Sequence, residues 1–347
     1  MTQRTLAAVI ALPLVLVLVI LAWTVPLPYT IYRPGSTENV LAQVKVNPKD
    51  HPTFPGTGGE IRMTTVNETL RDTHLGLWAL LGAWLDKDAA VYPTSVAYAP
   101  DQTQQQDQQQ GQQMMVTAQQ TAAYVALEQL GFHVFIGAQV EAPPKKGEPA
   151  YGKLRKGDII TAVDSTPVRI GNDLATAVHA LKPGQPATFT YKRGNATRRV
   201  RISPVQQSGL SVVGISVGDA TKMPFPVTVN VPQDIGGPSA GLMMALAIYD
   251  YLTPGSLTGG QPIAGTGTIS DDGAVGPIGG IQQKIPGAMH AGAKLFLVPA
   301  DNCEDVLNSD HGSMRLARVT TMGSAVRIIK VWAANHNAVL PSCGSTP

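Results

Sequence analysis

The longest apolar stretch of the chain runs from Leu6 to Val25, and residues 5–32 contain no charged side chain. About 20 consecutive apolar residues are enough to span a bilayer as a helix. A cleavable signal peptide usually has a shorter apolar region, about 7–15 residues, followed by an A-x-A site that we do not find here. The pattern therefore predicts an uncleaved transmembrane helix over residues 6–28.

Shorter segments of alternating and periodic apolar residues follow. Glu60–Val66 alternates as a strand does, and Leu75–Leu85 is a short apolar segment typical of a helix. A glutamine-rich stretch continues into Met114–Leu130, which has helical spacing and ends at Gly131, a suitable helix cap. These elements predict a small, mostly β domain with a glutamine-rich helix over residues 36–130.

Composition limits the function further. The 347 residues are enough for two or three domains, and a net charge of +2 is too small to indicate nucleic-acid binding. Gly147–Leu154 nearly fits a phosphate-binding loop, but its last position offers no hydroxyl and loop residues precede it. We therefore expect no ATP site in this sequence, and we expect no metal ion and no cofactor.

Ser239 lies in the segment GGPSAGLMMALAIYDYL. Gly236–Pro238 interrupt regular structure, and Ala240–Leu252 has the spacing of a helix. A serine at a helix start is most often an N-cap. The same place also offers free backbone N–H groups and the positive end of the helix dipole, which can hold an oxyanion. Ser239 is thus either a cap or a nucleophile, and in the second case the N–H groups of Gly237, Ser239 and Ala240 are the oxyanion candidates.

Lys284 closes a second distinctive segment, PIAGTGTISDDGAVGPIGGIQQK. The pattern predicts a strand over Ile263–Ile269, a hairpin turn, a returning strand over Ala274–Ile278 and a helix through Lys284. A helical lysine is normally solvated, but this surrounding is apolar and glycine-rich. Burial would lower the pKa of the amine toward the range of a general base. Serine–lysine pairs are a known variant of the activated serine nucleophile.

The two segments resemble the proteolytic domain of Lon-type serine proteases. GPSAG is similar to the nucleophile motif of that family, and PIGGIQQK is similar to its lysine motif. The resemblance implies that Ser239 is the nucleophile, that Lys284 is the general base and that Thr266 orients the lysine. It also implies a protease domain over residues 207–347, protein or peptide substrates and a homo-oligomer, a hexamer in that family. One difference is that Ile-Gly-Gly precedes Pro-Ser where the family often has Lys-Asp-Gly, with Asp234 further upstream.

The segment GKLRKGDIITAVDSTPV resembles part of a PDZ domain, which predicts such a domain over residues 131–206. PDZ domains bind extended peptides by adding them as a strand to a sheet edge. Leu130, Gly131 and Phe132 match the carboxylate-binding loop of the family. Gly131 would serve equally well as a helix cap, so both interpretations stay open.

The order of anchor, small domain, PDZ domain and protease domain resembles the bacterial membrane-anchored, YlbL-like proteases. We therefore expect an α+β multidomain protein with an extracytoplasmic catalytic domain and a cytoplasmic tail at residues 1–5; charge alone does not decide the orientation. An exported domain suggests a disulfide between Cys303 and Cys343, the only two cysteines. The alternative is two unrelated cysteines.

The function that these observations favour is an ATP-independent, membrane-anchored serine endopeptidase whose PDZ domain selects or gates extended substrates. Two alternatives remain. One is a catalytically silent PDZ scaffold. The other is an α/β-hydrolase, because GPSAG also fits the G-x-S-x-G nucleophile elbow, with His290, His311 or His336 as the imidazole.

Overall fold

The computed structural model describes residues 3–55, 58–99 and 102–344. The first elements are α1 (Gln3–Thr24), β1 (Tyr29–Asn39), β2 (Val44–Val46), β3 (Glu60–Glu68), α2 (Leu77–Leu85), β4 (Ala90–Pro93), α3 (Thr94–Ala97) and α4 (Gln104–Gln129). The next are β5 (Phe135–Val140), β6 (Ile159–Val163), β7 (Thr166–Pro167), α5 (Gly171–His179), β8 (Ala187–Arg193), β9 (Ala196–Ile202), β10 (Val205–Gln207), β11 (Leu210–Val212) and β12 (Val217–Thr221). The last are β13 (Val227–Val229), α6 (Gly241–Tyr251), β14 (Pro262–Gly265), β15 (Thr268–Ile269), β16 (Val275–Gly276), α7 (Ile281–His290), β17 (Leu295–Pro299), α8 (Cys303–Val306), β18 (Arg315–Val319) and α9 (Met322–Ala334).

The chain forms two compact units. Unit 1 consists of Met1–Ala123 and Val227–Pro347, and unit 2 consists of Tyr124–Pro226. Unit 1 is built on a six-stranded sheet with the order β18-β17-β14-β3-β1-β4. The pairs β18–β17, β17–β14 and β14–β3 are parallel, whereas β1 is antiparallel to β3 and β4. Every residue of β17 is buried, as expected for a strand inside a parallel sheet.

This sheet corrects the predicted division of the chain. We expected a small domain over residues 36–130 and a separate protease domain over residues 207–347. Instead, Glu60–Met63 of β3 pair with Pro262–Gly265 of β14, and the Thr64 hydroxyl donates a hydrogen bond to the carbonyl of Gly265. The amino-terminal strands are therefore part of the same sheet as the carboxy-terminal ones, and they belong to one unit.

α1 is followed by no charged residue before β1, and its described side chains are apolar and exposed from Val9 to Leu21. Within the described residues, no helix combines the length and the apolar character needed to cross a membrane. The predicted cytoplasmic tail (residues 1–5) and transmembrane helix (residues 6–28) begin at positions that the structure describes only in part. Met1 and Thr2 lie outside the described residues, and only the backbone is described for Gln3–Ala8.

Unit 2 is built on an antiparallel sheet with the order β12-β5-β6-β8-β9, and β7 pairs with β6. Alternate residues of β8 are buried, and α5 contributes Leu174 and Val178 to the core. This compact unit, Tyr124–Pro226, extends beyond residues 131–206, the predicted limits of the PDZ domain. The last turn of α4 and the strand β12 belong to this unit, because β12 pairs with β5 from Val140 to Phe135.

A disulfide joins Cys303, at the start of α8, to Cys343 in the carboxy-terminal segment. The two Cα atoms are 4.9 Å apart, and the bridge closes a sequence separation of 40 residues. Close to it, the N–H of Arg318 donates to the carbonyl of Pro341, so the segment is also held to β18. The bridge therefore fastens the end of the chain to unit 1.

We expect the paired replacement of Cys303 and Cys343 by serine to lower the free energy of unfolding of unit 1 by up to about 4 kcal/mol. The reason is that a bridge across about 40 residues restricts the unfolded chain. Urea unfolding of the oxidised protein, with and without reductant, measures the loss. Reductant should weaken the natural chain and leave the double variant unchanged. Two reactive thiols in unreduced, denatured protein would contradict the bridge.

Candidate active site

Ser239 lies in a turn directly before α6 and is partly exposed. The helix that follows is buried from Gly241 to Ile248, which fixes its start against the sheet. Ala240 occupies the N-cap position, and no side chain caps the helix there. The Ser239 hydroxyl is therefore not used as a cap, and it remains available for another role.

Lys284 lies on the buried face of α7. Ile281, Ile285 and Ala288 share that face, since residues three, four and seven apart lie on the same side of a helix. Lys284 is only 3% exposed, so its amine is buried among apolar side chains. Burial lowers the pKa of the Lys284 amine from its usual value of 10.5 to about 8. An amine in this range exchanges protons readily near neutral pH.

The two predicted residues meet in the structure. Nζ of Lys284 lies 2.9 Å from Oγ of Ser239 and 3.1 Å from Oγ1 of Thr266. Thr266 is fully buried, and its hydroxyl donates to the carbonyl of Ser239 at 3.0 Å. One threonine thus holds both the lysine amine and the backbone of the serine. A nucleophile, a base and a group that orients the base form the arrangement needed for nucleophilic catalysis.

The strand predicted over Ile263–Ile269 is interrupted at Gly267, and the interruption serves the site. Gly267 has φ +150°, where a Cβ atom would lie 2.7 Å from a methyl group of Val275. Its N–H donates to the Ser239 carbonyl at 2.8 Å, and its own carbonyl accepts from the N–H of Leu242. The backbone between β14 and β15 is therefore tied to the start of α6 on both sides of Ser239.

The three oxyanion candidates differ in their availability. The N–H of Gly237 already donates to the carbonyl of Gly111 at 2.8 Å, so it is not free to hold an oxyanion in this structure. In the described part of the chain, the N–H groups of Ser239 and Ala240 have no acceptor. Both N–H groups lie at the amino-terminal end of α6, where the helix dipole favours negative charge. Ser239 and Ala240 remain the candidates for holding an oxyanion.

Helix α4 contacts the loop before the nucleophile, a contact that the sequence did not indicate. A Cβ atom at Gly236 would lie 3.2 Å from the backbone carbon of Gly111, so the two glycines allow the backbones to approach closely. The amide of Gln112 also donates to the carbonyl of Gln233. The glycine in a helix otherwise rich in glutamine was the available sequence signal, because glycine is unfavourable inside a helix unless packing requires it.

A cleft of about 400 Å³ lies next to Pro238, the residue before the nucleophile. One face of α4 forms a wall, because its lining residues recur three and four positions apart. None of the lining residues in the described part of the chain is charged. The walls include Gln113, Met114, Thr117 and Ala118 from α4, together with Pro238 and Ile269.

The α/β-hydrolase alternative does not fit this geometry. A nucleophile elbow requires a strand that runs directly into the serine, but β13 ends at Val229 and a loop follows. Within the described residues, the side-chain partner of the Ser239 hydroxyl is Lys284, and none of the histidines is. His311 instead contacts the carbonyl of Met314, and the ring of His336 lies tilted against that of Trp332. No group of three histidine, cysteine or acidic residues in the described chain could hold a metal ion.

The predicted peptide-binding loop at Leu130–Phe132 is the end of α4. Gly131 has φ +90°; its N–H donates to the carbonyl of Glu128, and the N–H of Phe132 donates to the carbonyl of Leu127. This pair of bonds is the Schellman arrangement of a helix end. The two N–H groups are already used, so a peptide carboxylate would not find them there, and the helix-cap interpretation applies.

Unit 2 offers a different edge for a peptide. In the described part of the chain, β12 has a neighbouring strand, β5, on one side only. The N–H of Gly171, at the start of α5, donates to the Asp219 side chain at 2.6 Å, so α5 lies beside this strand. Gly214, with φ +71°, makes the turn that leads into β12. The sequence did not indicate this edge, because β12 follows the predicted end of the PDZ domain.

Comparison with known proteins agrees with both units. Residues 111–203 match the PDZ domain family, and residues 223–329 match the Lon protease (S16) C-terminal proteolytic domain. The Lon protease of Azorhizobium caulinodans is 28% identical over 169 residues, and Lon protease 1 of Bacillus subtilis is 28% identical over 163 residues. Each match covers 45% of this chain, which spans only 19% and 20% of the length of those relatives.

Among solved structures, the PDZ domain of the SdrC-like protein Lmo2051 from Listeria monocytogenes is 25% identical. The match covers 24% of this chain and 88% of that chain, at a TM-score of 0.22, which is too low to support an argument about the fold. The family matches and the relatives confirm the expected α+β protein with PDZ and Lon-type domains. They support a PDZ-containing Lon-type protease, and with it a serine peptidase.

Proposed function

We propose that this protein is an ATP-independent serine endopeptidase that uses Ser239 and Lys284 as a catalytic dyad. The observation that carries the proposal is the 2.9 Å contact between the buried Lys284 amine and the Ser239 hydroxyl. A lysine buried among apolar residues loses its proton more easily than a solvated one. Burying an amine destabilises the folded chain, so an amine in that position supports a catalytic role for it.

The reaction begins with attack of Ser239 Oγ on the carbonyl carbon of the scissile peptide bond. The hydroxyl proton moves to neutral Lys284, and the N–H groups of Ser239 and Ala240 stabilise the oxyanion. The C–N bond then breaks, the Lys284 ammonium gives its proton to the leaving amine, and an acyl-enzyme remains. Water attacks this ester after losing a proton to Lys284, which returns the proton to Ser239 and restores the starting state.

Thr266 is a positioning residue in this reaction. Its hydroxyl donates to the Ser239 carbonyl, and its oxygen accepts from the Lys284 amine. The amine therefore stays between two oxygens as its charge changes. The neutral cleft beside Pro238 would receive an uncharged side chain of the substrate, since burying a charged one without a partner is costly.

The PDZ unit would select or gate substrates by strand addition. The described edge strands of its sheet are β12 and β9, and a peptide would pair with β12, because α5 lies beside that strand. A protease that does not unfold its substrates can take only extended tails, loops or unfolded chains. We also propose that α1 anchors the protein in the cell membrane, that the catalytic unit is extracytoplasmic, and that the protein forms a homo-oligomer.

The pH dependence of proteolysis tests the role of Lys284. The neutral amine is the active form, so kcat/KM should rise as pH increases through the pKa of about 8. Well below that pKa, each pH unit should lower kcat/KM about tenfold. The measurement is cleavage of unfolded casein by the full chain without nucleotide, from pH 6 to 10.

A histidine base would instead give an acid limb near about pH 6.5, which would contradict the proposal. The comparison protein is Ser239→Ala, which should show no cleavage at any pH. If cleavage requires added nucleotide, the proposed ATP independence is wrong, whereas the proposed roles of Ser239 and Lys284 are unaffected. If the natural chain binds casein but never cleaves it, the scaffold alternative is correct.

A further inference from the structure

Helix α2 has an apolar surface where a globular protein normally has a polar one. The nine residues Leu77–Leu85 read LWALLGAWL and contain no charged side chain. One face is buried: Leu80 and Ala83 pack with Ile31 and Leu75. The opposite face is exposed and entirely apolar, and we call it the α2 outer face. It consists of Leu77, Trp78, Leu81, Trp84 and Leu85.

The exposure of this face is large. Trp84 is 77% exposed and Trp78 is 52% exposed, and Leu81 between them is 39% exposed. Single exposed apolar residues are common on protein surfaces, but a contiguous group of this size marks a contact with a partner or a membrane. The partner must itself be apolar, since the face offers no charge and its only polar groups are the two indole N–H donors.

The position of α2 identifies the medium that covers this face. α2 begins beside the end of α1: the N–H of Leu27 donates to the carbonyl of Leu75 at 2.9 Å. A Cβ atom at Gly76 would lie 2.8 Å from the carbonyl oxygen of Trp23, so glycine permits this close approach. The side chains of α1 from Val9 to Leu21 are themselves apolar and exposed. A medium that surrounds α1 therefore reaches α2 directly.

The α2 outer face is also small for a protein–protein contact. A helix of nine residues is about 14 Å long and about 10 Å wide. Such a face covers much less than the about 800 Å² per partner of a stable interface. A lipid surface needs no minimum area of this kind, and tryptophan is enriched where a membrane meets water. The helix is followed directly by charged residues, Asp86, Lys87 and Asp88. Their charges would stay in water, so the contact with lipid would end there.

We propose that α2 is an interfacial membrane helix whose outer face, Leu77, Trp78, Leu81, Trp84 and Leu85, inserts into the lipid surface beside the end of α1. This proposal goes beyond the anchoring of α1, on whose position it rests. α2 gives unit 1 a second contact with the bilayer. It would hold the sheet on which α6 and α7 pack at a fixed distance from the membrane, because Ile31 of β1 packs against the buried side of α2.

Depth-dependent quenching of a fluorescent label on α2 tests whether the α2 outer face inserts into the lipid. Cys303 and Cys343 are bonded to each other, so Leu81→Cys introduces one free thiol, which takes a polarity-sensitive fluorophore without reductant. The full chain is reconstituted into vesicles of phosphatidylcholine and phosphatidylglycerol with or without brominated acyl chains. We expect roughly a twofold loss of emission in brominated vesicles, because an interfacial helix is buried about 5–10 Å into the lipid boundary.

The matched control is Val339→Cys, a site in unit 1 that is 95% exposed and distant in sequence from α2. Its label should keep the emission of an aqueous environment in both kinds of vesicle. A chain that also carries Trp78→Glu and Trp84→Glu should lose the quenching at position 81. That variant should still float with vesicles, since α1 is unchanged, and should still cleave casein.

Each other outcome overturns the proposal. If the chain floats with vesicles but the label at position 81 is not quenched, α1 is an anchor and α2 is not in the lipid. If the label is shielded without bromine quenching and becomes exposed on dilution, a second copy of the chain covers α2. If the chain does not float at all, the membrane anchor and the α2 contact both fail, whereas the proteolytic function is untouched.

Discussion

Replacing Lys284 with methionine is expected to abolish proteolysis and at the same time to stabilise the folded protein. Methionine fits the apolar stripe of α7 but cannot accept the Ser239 proton. When a nucleophile or its base is removed, kcat/KM commonly falls by about 10⁴-fold or more. The opposite effect on stability follows from the burial of the lysine amine, whose pKa is lowered to about 8.

The stability effect follows from the difference between the pKa values of Lys284 in the unfolded and folded chains. The unfolded lysine titrates near 10.5, so between about pH 8 and 10.5 the unfolded chain binds more protons than the folded one. Folding is therefore weakest below pH 8 and gains stability as pH rises. Methionine removes this cost, which amounts to up to about 3 kcal/mol at neutral pH, less the two hydrogen bonds to Ser239 and Thr266.

The measurement pairs casein cleavage with thermal unfolding at pH 7 and pH 10. The gain in melting temperature of Lys284→Met over the natural chain should be larger at pH 7 than at pH 10. Lys284→Arg controls for charge: it should be inactive, because arginine stays protonated. Ser239→Ala should be equally inactive without the pH-dependent gain. Cleavage by Lys284→Arg at the same rate as the natural chain would exclude lysine as the base.

Gly111→Leu is expected to lower kcat/KM by about 100-fold or more, although Gly111 lies outside the matched protease segment. A Cβ atom at this position would meet Gly236 and Gly237 at 3.7 and 3.8 Å, which is ordinary contact. A leucine side chain extends beyond Cβ and would push the loop outward. It would break the bond from the Gly237 N–H to the Gly111 carbonyl, and misplacing a nucleophile by about 1 Å costs about 100-fold.

Two variants of the same helix serve as controls. Gly111→Ala should stay active, because a methyl group fits, and should gain up to about 1 kcal/mol from helix propensity. Gln109→Leu places the same side chain on an exposed position and should keep its activity. Labelling of Ser239 by an acylating probe should slow only in Gly111→Leu. If Gly111→Leu cleaves casein as fast as Gly111→Ala, α4 does not position the nucleophile loop.

The sequence alone located the chemistry of unit 1, and the reason is that its signals are local. Glycine and proline before Ser239 predicted a turn that leads into a helix, and the structure has a turn followed by α6. The apolar, glycine-rich surrounding of Lys284 predicted a helix in which this lysine is buried, and α7 buries it. The structure brings Ser239, Lys284 and Thr266 together, while their catalytic roles stay predictions for the experiments above.

What the tertiary structure alone decided depends on contacts between segments that are distant in sequence. The alternation of β3 shows that it is a strand, but not that β14, some 200 residues later, is its partner. In the same way, β12 extends unit 2 past its predicted end, and Gly111 of α4 takes the Gly237 N–H away from any oxyanion. Periodicity specifies which face of an element is apolar, because that depends on neighbours within a few residues. The choice of partner depends on the energy of the whole packed arrangement, which no local segment contains.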